Sequence, residues 1–402
     1  MKTNGFALFR GPLAWERAEE ALSRVDRYRR HLLTSSGPVF GATGDATREA
    51  GTCFLAWSLE ERGELPLVHG FVEGRRSITG GSTLGEFAFV ASEGGRILAG
   101  RDRLGTRPLY LDDARTCLAS DHRFFSQPPR LLPRGTTVDM GTGEMFGPAT
   151  IQAPRVADPG AAAILLCRLL EESVARRVKG RKRVAVSFSG GLDSSIIALL
   201  ASRHCEVVLC SAFTESSNDR EYTSSAARRL DLEHHGVLVG SDDALRELRS
   251  MNLPFQASPM DRALWCLYST TARMASEYRA ELILLGQLAD ELFGGYMKYS
   301  LAARESEAGA VRMMEADVAA SADRAFVRDE LACSRFTEVR FPFADHDVAA
   351  FATGIPLSFK ISGGERKAVL RKAASILGLP DELVRAPKKA AQYSSGLSKL
   401  VS

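Results

Sequence analysis

From Lys182 onward the chain alternates between short apolar runs and helical patterns, and this alternation constrains the fold more than any other feature. "KRVAVSFS", "EVVLCSAF", "EHHGVLVG" and "ELILLGQ" are the apolar runs, with "LDSSIIALLASRH", "REYTSSAARRLDL" and "DRALWCLYSTTARMASEYRA" between them. Apolar runs of strand length need cover on both faces, which a parallel sheet with crossover helices supplies. A further helix, "AAAILLCRLLEESVARRV", precedes the first run, and the carboxyl-terminal part reads as mainly helical. Residues 160–402 are therefore expected to form a parallel-sheet α/β domain.

Residues 1–153 follow a different pattern. "GEFAFVAS", "GRILAGRD", "RPLYLDD" and "RTCLASD" are short β-type runs punctuated by turn residues, as in antiparallel sheet, and "LLPRGTTVDMGTGEMFGP" reads as a last hairpin. "WERAEEALSRVDRYRRHLL" is helical by its periodicity and its lack of glycine and proline. "QAPRVADPG", with two prolines and a glycine, is the expected linker. A length of 402 residues with 45% hydrophobic residues supports two cores. The formal charge of +3 gives no electrostatic case for a nucleic-acid partner. Seven cysteines without C-x-x-C spacing fit reduced thiols. With no signal-type start and no apolar run of about 18 residues, a cytoplasmic chain with no membrane span is expected.

The first strand-to-helix turn, "SFSGGLDSS", falls at the carboxyl edge of the expected sheet, where ligands bind in such folds. Gly190 and Gly191 allow a tight turn that aims N–H groups outward, Ser189, Ser194 and Ser195 add hydroxyls, and the following helix presents its positive end. This is a phosphate site. It lacks the lysine of G-x-x-x-x-G-K-[ST], so it is not a Walker loop. Asp193 facing phosphate makes sense with a divalent cation between them, as Mg²⁺ combines carboxylates with phosphate oxygens. The paired His234 and His235, between a helix and a strand, read as a solvated turn.

"SFSGGLDSS" resembles the pyrophosphate loop of ATP pyrophosphatases that make acyl-adenylates, and three more stretches narrow the resemblance to the asparagine synthetase family. "LGQLADELFGGYMKY" (Leu285–Tyr299) resembles the signature G-E-G-x-D-E-x-F-G-G-Y. "GEFAFVASEGGRILAGRDRLGTRPLYL", followed by "LASD" and "LPRGT", resembles the core of the family's amino-terminal domain. "RAPKKAAQYSSG" resembles the carboxyl-terminal lysine segment shared with β-lactam synthetases. The resemblance implies an Ntn-type α+β sandwich of antiparallel sheets, then a PP-loop domain of the adenine nucleotide α-hydrolase type. It implies ATP and Mg²⁺, adenylation of a carboxylate with release of pyrophosphate, and attack by an amine with release of AMP. Ser187, Ser189, Gly190, Gly191, Asp193, Ser194 and Gly286 would contact ATP or pyrophosphate, and Asp193 and Asp290 would share the metal. Lys388, or the adjacent Lys389, would be the catalytic lysine. Phe213 falls at an adenine contact or is plain core.

The chain departs from that pattern twice. It begins Met1-Lys2-Thr3 without the nucleophilic cysteine, Cys53 lies in the strand-like "GTCFLAW", and "HGFVEG" is the nearest match to the substrate loop N-G-E. A glutaminase-deficient amino-terminal domain is expected, with nitrogen arriving as ammonia or an amine, or from a separate glutaminase. Gln287 stands where asparagine-forming members have glutamate, and Leu288 replaces the next glycine. An amide can bind an amine but cannot act as a base at neutral pH. Three readings follow: an asparagine synthetase-like ligase using aspartate; a β-lactam synthetase-like or lasso cyclase-like enzyme for another carboxylate; and a nucleotide-binding regulator without catalysis. A tRNA-modifying pyrophosphatase is disfavoured by the missing C-x-x-C pairs and the near-neutral charge. A homodimer is compatible with the family and is fixed by no residue.

Overall fold

The structure, a computed structural model, describes residues 2–3, 5–10, 17–18, 20–21, 39–47, 50–57, 67–73, 84–147, 156–215, 217, 219–386 and 396–400. Two compact units divide the chain: Met1–Thr150 with Ala322–Val327, and Ile151–Ser321 with Arg328–Ser402.

Two six-stranded sheets make up the first unit among its described residues. One runs Lys2–Thr3, Leu67–Glu73, Leu84–Glu93, Arg96–Arg101, Thr137–Asp139, Met145–Phe146 in spatial order. The other runs Arg130–Leu131, Tyr110–Leu111, Cys117–Ala119, Gly5–Arg10, Ala50–Trp57, Val39–Thr47. All pairings are antiparallel except that of Lys2–Thr3 with Leu67–Glu73. Alternating residues of both sheets meet in one core: Phe6, Leu8 and Leu118 from one, Ala88, Val90, Ala99 and Val138 from the other. The expected hairpin pairs Val138 with Met145. Of the helix expected over 15–33, residues 17, 18, 20 and 21 are described, and they are helical.

In this unit "GRDRLGTRPLY" is organised by one carboxylate. Buried Asp102 accepts from the backbone N–H groups of Phe87, Leu104 and Thr106 and from the Thr106 hydroxyl at 2.7–3.2 Å. The neighbouring Arg101 guanidinium is spent on the carbonyls of Gly105, Arg107 and Leu132.

Among its described residues the second unit carries a five-stranded, all-parallel sheet in the order Glu233–Leu238, Glu206–Phe213, Arg183–Ser187, Leu282–Leu284, Glu338–Arg340. Val184, Ala185 and Val186 are all buried, as a strand covered on both faces requires. Helix Leu192–Ser202 packs on the strands Arg183–Ser187 and Glu206–Phe213 and against helix Pro159–Val178, and Pro259–Glu277 packs across the three central strands. Both long helices start on sequence-encoded caps. Asp158 precedes Pro159 and accepts from Ala161 N–H at 2.7 Å, and Ser258 with Asp261 forms a capping box around Pro259.

One expectation is overturned. His234 and His235 do not form a solvated turn; they lie in the strand Glu233–Leu238, which pairs with Glu206–Phe213. His234 Nε2 meets Ser211 Oγ at 3.0 Å, and burial lowers its pKa. His235 stacks on Tyr278 and contacts Glu233 at 2.8 Å. Cys117, Cys167, Cys205, Cys210, Cys266 and Cys333 are free thiols. Among the described residues no helix is long and apolar enough to cross a membrane.

Candidate active site

The chain enters the parallel sheet at its middle strand, Arg183–Ser187. The next two strands extend it to one side, and Leu282–Leu284 returns to the other. The switch point therefore lies between the strands Arg183–Ser187 and Leu282–Leu284. The loops leaving their carboxyl ends are "FSGG" and "LGQL". Such a crevice is where open α/β sheets bind ligands.

The first loop is wired by its hydroxyls. Ser189 N–H donates to Ser194 Oγ, Gly191 N–H donates to Ser189 Oγ, and Ser194 Oγ donates to Gly191 O, all at 3.2–3.3 Å. Ser187 Oγ accepts from the Thr271 hydroxyl at 3.2 Å. Gly190 has φ of +69°, and a Cβ there would come 2.9 Å from the Tyr222 ring, so only glycine fits. Gly191 caps helix Leu192–Ser202 without a side-chain hydrogen bond, the arrangement by which helix starts receive anions in other proteins.

The two loops touch at Gly286, where a Cβ would lie 3.3 Å from Asp193 Cβ. This approach brings Asp193 toward Asp290, on the short helix Ala289–Phe293. Between them lies a residue to which sequence reasoning assigned nothing. Lys367 Nζ contacts the Asp193 carboxylate at 2.6 and 2.7 Å and Asp290 Oδ1 at 2.6 Å. The lysine is 4% exposed and the two aspartates 18% and 13%. The two carboxylates hold its pKa above the ordinary lysine value, overcoming the cost of burial. Lys367 takes left-handed backbone, φ of +59°, at the start of helix Ala368–Ile376. Gly295 leaves it room, since a Cβ there would fall 1.9 Å from Asp290 Oδ1 and 2.5 Å from Lys367 Cε.

Asp193 and Asp290 thus converge on one cation position, marked by the Lys367 ammonium. Two carboxylates against one ammonium leave a formal excess of negative charge. Hard oxygen donors at one point beside a phosphate-type loop fit a magnesium ion that completes its shell with phosphate oxygens. Among the described residues no cluster of three or more His, Cys, Asp or Glu side chains offers a metal site.

Next to Asp290, Glu291 accepts from the Tyr296 hydroxyl at 2.8 Å. Burial, and secondarily the Asp290 charge, push its pKa up to about 7. On the other side, Gln287 Nε2 donates to the Asp329 carboxylate. Burial raises the Asp329 pKa, opposed by Arg328 and by the Gln287 hydrogen bond. Leu288 is buried with φ of +77°, so it keeps a left-handed backbone without being glycine. Such a conformation costs an ordinary residue about 1–2 kcal/mol.

The structure brings Ser187, Ser189, Gly190, Gly191, Asp193, Ser194, Gly286, Gln287 and Asp290 to this one sheet edge. Phe213 ends the strand Glu206–Phe213 with its side chain 2% exposed, over Gly236. Lys388 and Lys389 lie outside the described residues. The chain just before them is anchored: Arg371 donates to Val384 O and, at 3.1 Å, to Ala386 O. Lys367 and Asp329 had no local signal in the sequence; Glu291 had one, inside the D-E-x-F-G-G-Y signature.

Fold and site together define a doubly wound α/β protein with a glycine–serine loop and a carboxylate pair at its switch point. The asparagine synthase family profile matches residues 165–332 and 308–400, and the chain belongs to that family. The chain is 31% identical over 274 residues to a putative glutamine-hydrolyzing asparagine synthetase of Methanocaldococcus jannaschii, covering 59% of this chain and 50% of the relative. It is 28% identical over 319 residues to an asparagine synthetase domain-containing protein 1 of Gallus gallus, at 60% and 50% coverage. The chain spans about half the length of these curated relatives. Among solved structures, an NH3-dependent NAD synthetase of Campylobacter jejuni aligns with a TM-score of 0.31 and 16% identity, over 57% of this chain and 77% of that one. A likeness that slight adds nothing to the argument.

Proposed function

We propose that the chain is an ATP- and magnesium-dependent ligase that adenylates a carboxylate, aspartate in the first instance, and transfers the acyl group to ammonia or another amine. The convergence of Asp193 and Asp290 beside the glycine–serine loop carries this reading, and family membership supports it.

The loop N–H groups, the Ser189 and Ser194 hydroxyls and the open end of helix Leu192–Ser202 bind the phosphate chain. Asp193 and Asp290 would hold magnesium, which would supply Lewis-acid neutralisation of the leaving pyrophosphate. Lys367 offsets one charge of the carboxylate pair before nucleotide arrives. A substrate carboxylate oxygen attacks the α-phosphorus, and the bond to pyrophosphate breaks. The amine nitrogen then attacks the acyl carbon, the bond to AMP breaks, and the excess proton passes to the departing phosphate oxygen. Lys388, two residues beyond the Ala386 carbonyl that Arg371 holds, is the proposed donor to the charge that develops on the α-phosphate.

The test is AMP release from ATP and Mg²⁺ with L-aspartate, with ammonium or glutamine as nitrogen source. AMP formation is expected with ammonium, and Asp193→Ala is expected to lower it about 100-fold or more. An unchanged rate in Asp193→Ala rules the mechanism out. Gln287, an amide where asparagine-forming members carry glutamate, favours a second reading: amidation or cyclisation of another carboxylate. Wild-type protein that releases no AMP with aspartate, but does so with another acid, decides for that reading.

A further inference from the structure

The proposed reaction needs a group that orients the attacking nitrogen, and Gln287 is placed for it but cannot act as a base. What fixes its amide is a buried chain of charges. Asp329, fully buried on helix Ala325–Cys333, accepts from Gln287 Nε2 with one oxygen. Its other oxygen accepts from Arg328 Nε at 2.8 Å. Arg328 Nη1 donates to Asp261 at 3.0 Å, and Asp261 is locked in its capping box by Ser258. Arg328 and Asp261 are 3% and 2% exposed, so the chain is rigid and dry.

An ionised carboxylate only accepts hydrogen bonds. Asp329 therefore selects one of the two flips of the Gln287 amide. The NH₂ group turns inward to Asp329, and Oε1 is left as an acceptor at the sheet edge, one residue from Gly286 and its contact with Asp193. The left-handed backbone at Leu288 limits the turn on the other side of Gln287.

We propose that Asp329 is a positioning residue for the nucleophile: through Gln287 it presents a fixed carbonyl acceptor that takes an N–H hydrogen of the neutral amine attacking the acyl-adenylate. The proposal rests on the ligase reading above. Oε1 holds one N–H hydrogen, which aims the nitrogen lone pair. The acyl carbon–nitrogen bond forms, the bond to AMP breaks, and the proton leaves with the phosphate rather than with Gln287. The site then selects nucleophiles that carry at least one N–H and are uncharged.

The experiment separates the half-reactions in the full chain. Aspartate-dependent exchange of labelled pyrophosphate into ATP reads adenylation, and ammonium-dependent amide formation reads transfer. In Asp329→Asn the remaining oxygen stays on Arg328 Nε and the amide NH₂ faces Gln287, so the Gln287 amide turns over and its acceptor is lost from the outward side. Exchange is expected to stay within about threefold, while transfer falls about tenfold or more with a raised KM for ammonium, in line with loss of a charged hydrogen bond. The exchanged pair Gln287→Glu with Asp329→Asn restores a carboxylate–amide contact with an acceptor facing outward. It is expected to recover both thermal stability and the ammonium KM, and it carries the test if Asp329→Asn alone does not fold. Equal loss in both half-reactions, an unchanged ammonium KM, or a folded double variant without recovery overturns the proposal. Wild-type protein that shows no exchange with aspartate overturns the substrate reading, and the nucleophile role with it.

Discussion

Asp102, buried in the first unit, and the partly buried Asp193–Asp290 pair in the second are both carboxylate centres at the end of sheet strands, yet they are satisfied by opposite means. Asp102 is held by backbone N–H groups, most of them within five residues of it. Those donors are fixed parts of the main chain, so the centre closes a turn and has no exchangeable partner. Asp193 and Asp290 are satisfied by a side-chain ammonium 174 residues from Asp193. An ammonium can yield its place to another cation without unfolding the two helices that bear the carboxylates. The source of the counter-charge, more than burial or the number of bonds, separates a carboxylate that builds the fold from one available to a ligand.

The largest expected effect tests the first half of this contrast. Asp102→Ala strands several buried N–H donors at about 1–3 kcal/mol each, a loss comparable to a domain's whole stability. The first unit is expected to melt, read as lost cooperative unfolding and rapid proteolysis; a variant as stable as wild type breaks the comparison. Next comes Lys367→Met, which leaves two carboxylates facing one another. Breaking a buried pair costs about 3–5 kcal/mol. The melting temperature at pH 8 is expected to drop in metal-free buffer and to recover in part with Mg²⁺ and ATP, through binding to the folded state. Failure of any cation to substitute for the ammonium means that the pair is structural, like Asp102.

A smaller effect sharpens the picture through pH. Glu291 has a folded pKa raised to about 7, so its contribution to stability is present below the ordinary glutamate pKa and is lost as pH rises through about 7. Glu291→Gln removes that titration while keeping an acceptor for Tyr296. Its melting temperature relative to wild type is expected to rise between pH 5 and pH 8 without metal, by the equivalent of about 2 kcal/mol. The smallest effect measures what the site costs the backbone. Because Leu288 is left-handed, Leu288→Gly is expected to be more stable than Leu288→Ala by about 1 kcal/mol, the reverse of the usual order. Chemical denaturation of the two variants decides it.

The legible parts of this architecture are those encoded locally. Val184–Val186 and Leu282–Leu284 are uninterrupted apolar runs, so the buried parallel sheet shows in the sequence. Ser189–Ser194 and Asp290–Tyr296 are compact signatures, so one loop and both carboxylates show as well. Lys367 was illegible because a lysine before an ordinary amphipathic helix looks like a solvated one, and only the tertiary fold carries it to the carboxylates. Asp329 was hidden for the same reason, on a short helix with no motif. His234 and His235 were misread because polar residues before an apolar run look like a turn, whereas the strand takes them up at the edge of the sheet. Partners such as Ser211 and Tyr278 come from other elements.

The separation of 174 residues between Asp193 and Lys367 also has a consequence in time. At a ribosomal rate of about 5–20 residues per second, Lys367 is added roughly 10–35 s after Asp193. During that interval the growing chain carries first Asp193 and then Asp290 without their ammonium. The emergence of one lysine late in synthesis is thus the event that closes the centre, and a chain stalled before it exposes an acidic, uncompensated crevice to whatever cation the cell supplies.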